Sequence, residues 1–306
     1  MTGQVRVLGV AQTPPATKAP PGSCDCHTHI FGPAAKYPFD PGRTYTPGAA
    51  SVADLLALHA VLGIARVVIV HPSPYGSDNR CTLDAVRQLG GRARGVAVID
   101  DATDDAALRD MHAAGVRGVR VNLQTFGNPD PAIAWERLRW AARRVAPLGW
   151  HVQVYTDLAL IAALSEHLAD LPTPLVIDHF GRAMAAAGPR QPGFDELLGL
   201  LGTGRIYVKM SAPHRISNQP GYGDAAAIVQ ALIAGNPDRL LWGSDWPHPG
   251  ARPGIPRTVA GIEPFRGEDD GAALERLAGW VGNAAILHRI LVDNPARLYE
   301  FGEMAP

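Results

Sequence analysis

Residues 51–71 read SVADLLALHAVLGIARVVIVH, and this stretch contains the unit from which the rest of the chain is built. Ser51 is a plausible helix N-cap, because its hydroxyl can take a free backbone N–H of the first turn. Val52, Leu55, Leu56 and Leu58 then recur at helical spacing, and Gly63 stands where a helix should stop. Ala65–His71 follows as a continuous apolar run rich in β-branched residues. Such a run reads as a strand buried on both faces of a parallel sheet.

Outward from this stretch the same unit recurs. Apolar runs occur at Cys24–Ile30, Ala93–Ile99, Val116–Asn122, Trp150–Tyr155, Leu175–His179, Ile206–Met210 and Leu240–Ser244. Amphipathic segments lie between them, at Asp104–Ala114, Pro131–Ala146, Asp157–Leu168, Phe194–Leu201 and Asp224–Ala234. Eight strand–helix units over about 280 residues match the size of one α/β (β/α)8 TIM barrel. A doubly wound open sheet is the rival, but no glycine-rich phosphate loop follows the first strand. Residues 1–22 read as an extended N-terminal arm, with Pro14, Pro15, Pro20 and Pro21, and residues 23–306 as a single catalytic domain. Two stretches break the rhythm, Phe31–Gly48 and Pro247–Phe265. Both follow strands, so in a barrel both would lie at the C-terminal mouth.

Composition narrows the function classes. With 46% hydrophobic residues the 306-residue chain can bury a sizeable core. Its formal net charge is −1 and it has no basic run, which gives no support to a nucleic-acid or membrane-surface partner. Cys24, Cys26 and Cys81 are odd in number and two are one residue apart, which is not a disulfide framework. A reduced, cytoplasmic setting is therefore expected. The first residues do not read as a signal peptide, and no apolar run is long enough to span a bilayer. Oligomeric state is not legible.

Polar residues concentrate at strand ends. His27 and His29 are two positions apart on the first strand and so share one side, which in a barrel is the interior. Asp178-His179 ends the sixth strand and Asp245 follows the eighth. Taken singly, the histidines could be inert core residues and Asp245 could be a helix cap. Pro247 and the Pro/Gly-rich run after it argue against an immediate helix. His27, His29, His179 and Asp245, four ionisable groups from three strand ends, point instead to one pocket, because burying them apart would leave each unpaired.

Asp25-x-His27-x-His29, His179 and Gly243-Ser244-Asp245-Trp246-Pro247 resemble the amidohydrolase superfamily. The likeness is closer to the subgroup that contains 2-pyrone-4,6-dicarboxylate lactonase. It extends over nearly the whole chain, through Tyr37-Pro38-Phe39, Gly118-x-Arg120-x-Asn122, Asp178-His179-x-Gly181-Arg182 and Asn294-Pro295-x-Arg297-Leu298-Tyr299. The resemblance implies an amidohydrolase-like barrel that hydrolyses a small anionic lactone without a metal. Asp245, ionised at neutral pH with a reference pKa near ~3.9, would be the base for water. His27, His29 and His179 would polarise the carbonyl, by hydrogen bonding or as imidazolium. Arg120 and Arg215 would clamp a carboxylate through their planar forks. Tyr45, Ser73 and Tyr155 match hydroxyl-bearing substrate contacts of the subgroup.

Zinc is the competing expectation, since His27, His29, His179 and Asp245 form an acceptable ligand set. Metal-dependent relatives add a strand-four lysine or a strand-five histidine. Here those positions offer Arg120 or Asn122 and Tyr155. The chain also departs from the dicarboxylate lactonase, which has a further arginine soon after the strand-four one. Asn122–Gly127 has no basic residue, which favours a lactone with one fewer carboxylate or with hydroxyls, of sugar-acid or muconate type. The alternatives are a sugar-acid lactone isomerase and a zinc-dependent hydrolase or decarboxylase.

Overall fold

The computed structural model describes residues 5–125, 127, 130–250 and 257–302, and in it the eight apolar runs form eight parallel strands hydrogen-bonded in chain order. They are β1 (Cys24–Thr28), β2 (Arg66–Val70), β3 (Ala93–Ala97), β4 (Val116–Asn122), β5 (His151–Tyr155), β6 (Leu175–Ile177), β7 (Ile206–Ser211) and β8 (Leu240–Gly243). Each is followed by a helix: α1 (Val52–Leu62), α2 (Arg80–Leu89), α3 (Asp105–Ala113), α4 (Pro131–Val145), α5 (Leu158–Ala163), α6 (Phe194–Gly202), α7 (Ala226–Gly235) and α8 (Asp270–Val281). Ser51 caps α1 through a reciprocal capping box with Asp54, and Gly63 ends it in the left-handed region. The helix expected over Asp157–Leu168 is two pieces, Leu158–Ala163 and Ser165–Leu168, broken at Leu164.

The sheet is nearly closed into a barrel at the β8–β1 seam. Asp245 N donates to His27 O at 2.8 Å, and His29 N donates to Trp246 O at 2.8 Å. A methyl group at Gly243 would lie 2.5 Å from His27 Cβ and 2.7 Å from its backbone nitrogen, so this close approach requires glycine. Buried Asp25 stitches the seam. Its Oδ1 accepts from Ser244 N at 2.9 Å, its Oδ2 accepts from Ser244 Oγ at 2.5 Å, and His59 of α1 lies 3.4 Å away.

Alternation along the strands separates two cores. Val67 and Ile69 pack with the helices, whereas Val68 and Val70 belong to a second cluster with Cys24, Cys26, Val96, Val176, Tyr207, Leu241 and Tyr299. Successive side chains of a strand face opposite ways, so the second cluster is the barrel's own apolar interior. The residues expected as an extended arm include a short antiparallel ladder, Arg6–Val7 with Val10–Ala11. The arm then fastens to α8 and its cap, with Thr13 N donating to Asp269 Oδ1 and Thr17 N to Glu275 Oε2. The two rhythm-breaking stretches meet, because Thr46–Pro47 pairs with Ile262–Glu263. Residues 251–256 of the second stretch, and Phe126 of the segment after Arg120, lie outside the described residues. Among the described residues no helix is long and apolar enough to cross a membrane.

Candidate active site

The three strand ends bring His27, His29, His179 and Asp245 together, all buried. The Nε2 atoms of His27, His29 and His179 lie 3.5, 3.7 and 3.9 Å from one atom, Asp245 Oδ1. Asp245 and His179 both have left-handed backbones, with φ of 66° and 51°. For a non-glycine residue this conformation is costly and persists only where surrounding structure imposes it. At Asp245 the imposing contacts are the seam hydrogen bond to His27 and a bond from His248 N to Asp245 O at 2.7 Å. The His248 ring is in turn tied to Asp270 of α8, Nε2 to Oδ2 at 3.1 Å.

The far ring nitrogens constrain the tautomers. His29 Nδ1 lies 2.8 Å from Val70 O, which can only accept, so this nitrogen carries a hydrogen. His179 Nδ1 lies 2.8 Å from Ser211 Oγ, a hydroxyl that can donate, which allows a neutral His179 to present Nε2–H to the site. Burial lowers the His27 pKa to about 4 against the pull of Asp178, and burial likewise holds His179 well below its ordinary value. Both are neutral at pH 7, so hydrogen bonding rather than imidazolium charge is what they offer a carbonyl. Burial alone would raise the Asp245 pKa. Arg215 and the neighbouring imidazoles outweigh it and hold the carboxyl well below the usual range.

Beneath this group Asp178 and Arg120 join two residues that sequence reasoning missed, Lys209 and Gln153. Lys209 is fully buried, and its Nζ donates to Gln153 Oε1 at 2.6 Å. Gln153 Nε2 donates to Asp178 Oδ2 at 3.0 Å, and Arg120 Nε lies 3.5 Å from the same oxygen. Asp178 Oδ1 is 3.3 Å from His27 Nδ1. The signal was a lone lysine in IYVKMS and a lone amide in HVQVY. A buried charge on a strand needs a partner, although the sequence does not say which one.

Above the group, Tyr155 gathers three guanidinium groups. Its hydroxyl accepts from Arg182 Nη1 at 3.0 Å and from Arg215 Nη1 at 3.4 Å, and Arg120 lies 5.7 Å from its ring centre. Arg215 Nη2 also donates to Asp245 Oδ2 at 2.9 Å. Tyr45 is buried under Arg257, which stands 4.0 Å from its ring centre, and burial pushes the phenol pKa to about 12. Ser73 opens the short turn after β2. These side chains, with His29 and Asp245, line a cavity of about 850 Å³ at the C-terminal mouth of the barrel. All nine residues expected from the sequence thus meet at one end of the barrel. Arg215 differs from the expectation in one respect, since its guanidinium is also engaged within the protein, by Asp245 Oδ2, Pro249 O and Tyr155 OH.

The site's donor set is compatible with a cation. Donor atoms of His27, His179 and Asp245 lie within 4.8 Å of one another. His29 stands outside that set, which makes three ligands where the sequence suggested four. His27 Nε2 and Asp245 Oδ1 are buried and make no hydrogen bond among the described residues, so both remain available to a ligand. The arrangement offers a carboxylate base, ring nitrogens for a developing oxyanion and a cationic wall for an anionic substituent.

A family model described as Amidohydrolase matches residues 24–301. A 2-pyrone-4,6-dicarboxylate hydrolase of Comamonas testosteroni is 37% identical over 299 residues, spanning 93% of this chain and 92% of its own. A 4-sulfomuconolactone hydrolase of Rhizobium radiobacter is 38% identical over 283 residues, spanning 92% and 90%. Among solved structures, an apo protein of Agrobacterium tumefaciens aligns with a TM-score of 0.81 at 28% identity, covering 95% of this chain and 100% of that one.

Proposed function

Because the chain belongs to the amidohydrolase family, we propose that it hydrolyses a small anionic lactone, with Asp245 as the base and no metal. The observation that carries this reading is the single carboxylate oxygen, Asp245 Oδ1, faced by three imidazoles under a wall of arginines. The two hydrolase relatives act, by their names, on a dicarboxylate and a sulfonated lactone, both anionic. The non-basic stretch after Arg120 favours a substrate with one fewer carboxylate, of muconate or sugar-acid type.

In this reading the anionic substituent lies against Arg120 and Arg215, with Tyr45, Ser73 and Tyr155 as hydroxyl contacts. The lactone carbonyl oxygen takes hydrogen bonds from the Nε2–H groups of His27 and His179; His29, expected from the sequence as a third polariser, gives its Nδ1–H to Val70 O and as a neutral ring has no N–H to offer there. Asp245 Oδ1 accepts a proton from water as the hydroxyl oxygen adds to the carbonyl carbon. The resulting oxyanion is stabilised by the same ring N–H groups, which stand ready before the reaction begins. Collapse of this intermediate breaks the bond between carbonyl carbon and ring oxygen. The proton on Asp245 passes to that leaving oxygen, restoring the carboxylate and releasing an open-chain acid. Held by His27, His179 and Asp245, a divalent cation would instead polarise the carbonyl as a Lewis acid. Arg215 on the second oxygen of Asp245, and Lys209 and Arg120 behind His27, put positive charge around that position and disfavour a cation.

The test is a panel of lactones: muconolactone, 4-sulfomuconolactone, 2-pyrone-4,6-dicarboxylate and an aldarolactone. Acid release is followed in chelator-treated protein with and without added zinc, and products are identified by NMR. Metal-free acid release from at least one anionic lactone supports the proposal. Activity that appears only with zinc sinks the metal-free mechanism, and a rearranged lactone as product replaces hydrolysis by isomerisation.

A further inference from the structure

Lys209 stands in the middle of β7 with its side chain fully enclosed, and the hydrolytic steps above do not use it. An ammonium group has three hydrogens to donate and accepts nothing. Three acceptors surround it: Gln153 Oε1 at 2.6 Å, His27 Nδ1 at 3.5 Å and Asp178 Oδ1 at 3.7 Å. Gln153 cannot turn its amide round without loss, because its nitrogen is engaged by Asp178 Oδ2 at 3.0 Å.

His27 therefore has two competing arrangements. Its Nδ1 can carry a hydrogen toward Asp178 Oδ1 at 3.3 Å. The lone pair on Nε2 would then face the carboxylate oxygen of Asp245 at 3.5 Å, which is repulsive unless a cation lies between them. Alternatively Nδ1 accepts from Lys209. A neutral imidazole has one hydrogen, so it then sits on Nε2 and points at Asp245 Oδ1, which is attractive. We propose that Lys209 is a positioning residue that donates to His27 Nδ1, holds His27 as the Nε2–H tautomer, and so makes the site a hydrogen-bond donor to a carbonyl rather than a ligand for a divalent cation.

This inference rests on the metal-free lactonase reading, but its primary readout needs no substrate. Imidazole nitrogen–proton correlation spectra of chelator-treated, 15N-histidine-labelled protein report which ring nitrogen is protonated. The His27 signals are identified by their loss in His27→Gln. The expected result is protonation at Nε2 in the unmodified protein and at Nδ1 in Lys209→Met. In Lys209→Met, kcat should fall roughly 10²-fold, as when one oxyanion donor is removed, with KM nearly unchanged. Zinc should bind about tenfold tighter or more, since a coordinating ring nitrogen needs its lone pair free. In Lys209→Met/Asp178→Asn the new amide can donate to Nδ1, so the Nε2–H signal should return and kcat should recover by about tenfold, as one partly replaced donor would give. A loss due only to packing would not be rescued by that second change.

His27 protonated at Nδ1 in the unmodified protein overturns the proposal even if Lys209→Met does not fold. So does a Lys209→Met protein whose tautomer and kcat are unchanged. If none of the lactones is hydrolysed while His27 still shows Nε2–H, the functional reading falls and the tautomer assignment stands.

Discussion

Arg215 Nη2 lies 2.9 Å from Asp245 Oδ2, leaving Asp245 Oδ1 as the carboxylate's open face toward the histidines. The same guanidinium reaches Pro249 O at 3.0 Å and Tyr155 OH at 3.4 Å, so it is braced between the β8 loop and the end of β5. This contact raises the Arg215 pKa despite burial and, together with the imidazoles, keeps the Asp245 carboxyl ionised.

An arginine that both orients the base and lines the substrate cavity should not show a pure binding defect. In Arg215→Met, kcat should fall at least about tenfold while KM rises, because a ground-state contact and a base-orienting contact are lost together. The acid limb of the kcat/KM profile should also move to higher pH, since Asp245 loses the neighbour that most lowers its pKa. Steady-state kinetics across pH 4–8 check this. A rise in KM alone would confine Arg215 to substrate binding.

Asp245→Asn should abolish turnover, by roughly 10³-fold or more, as expected when the general base is removed. Asparagine keeps the shape and can still accept from Arg215, so product or inhibitor affinity should change little. Calorimetric binding alongside the activity assay separates these effects, and measurable turnover at the original rate would take Asp245 out of the base role.

Barrel architecture was legible because it rests on signals local to the chain. A βα unit such as residues 51–71 states its own period, cap and stop, and strand ends put polar residues where a barrel mouth must be. Thus His27, His29, His179 and Asp245 could be picked out singly. Their supporting groups could not, because the pairing of Lys209 with Gln153 depends on registers across β5, β6 and β7. Gln153 is level with Val176, and Val176 with Tyr207, which lies two residues from Lys209. Those registers follow from closing the whole sheet. The commitment of Arg215 to Asp245 was hidden for the same reason.

The seam offers a test of the fold itself. Gly243→Ala places a methyl group 2.5 Å from His27 Cβ and against its backbone, which cannot be relieved by a rotamer change. It should cost several kcal/mol, about 3 or more, and displace His27. Gly279→Ala, inside α8 with nothing within 4 Å of the added methyl, should instead leave Tm unchanged or raise it slightly, by up to about 1 kcal/mol of stability. Thermal unfolding of the two variants distinguishes them. A Gly243→Ala protein as stable as the parent would mean that β1 and β8 do not approach as described.

Stability should fall with acid well before the carboxylates titrate. His71 is fully buried between Thr82 Oγ1, 3.2 Å from Nδ1, and Gly76 O, 3.0 Å from Nε2. Burial lowers its pKa to about 4, against roughly 6.5 in an unfolded chain. Above pH 6.5 neither state binds the proton, and the full stability is present. Between pH 6.5 and 4 only the unfolded chain binds it, so stability drops as pH falls, by up to about 3 kcal/mol for this residue. Below pH 4 both states are protonated and the loss levels off. His27, at about 4, and His151, at about 3, add losses of the same sign, again because burial disfavours the charged ring. Asp178 and Asp245 are held low instead, so their contribution is retained until pH drops below about 3.8, the unfolded value. Tm measured from pH 7.5 to 4 should therefore decline steeply across the histidine window. His71→Gln cannot take up that proton and should show a shallower decline than the parent, despite a lower starting Tm. Parallel curves for the two proteins would mean that His71 is not the buried neutral imidazole described here.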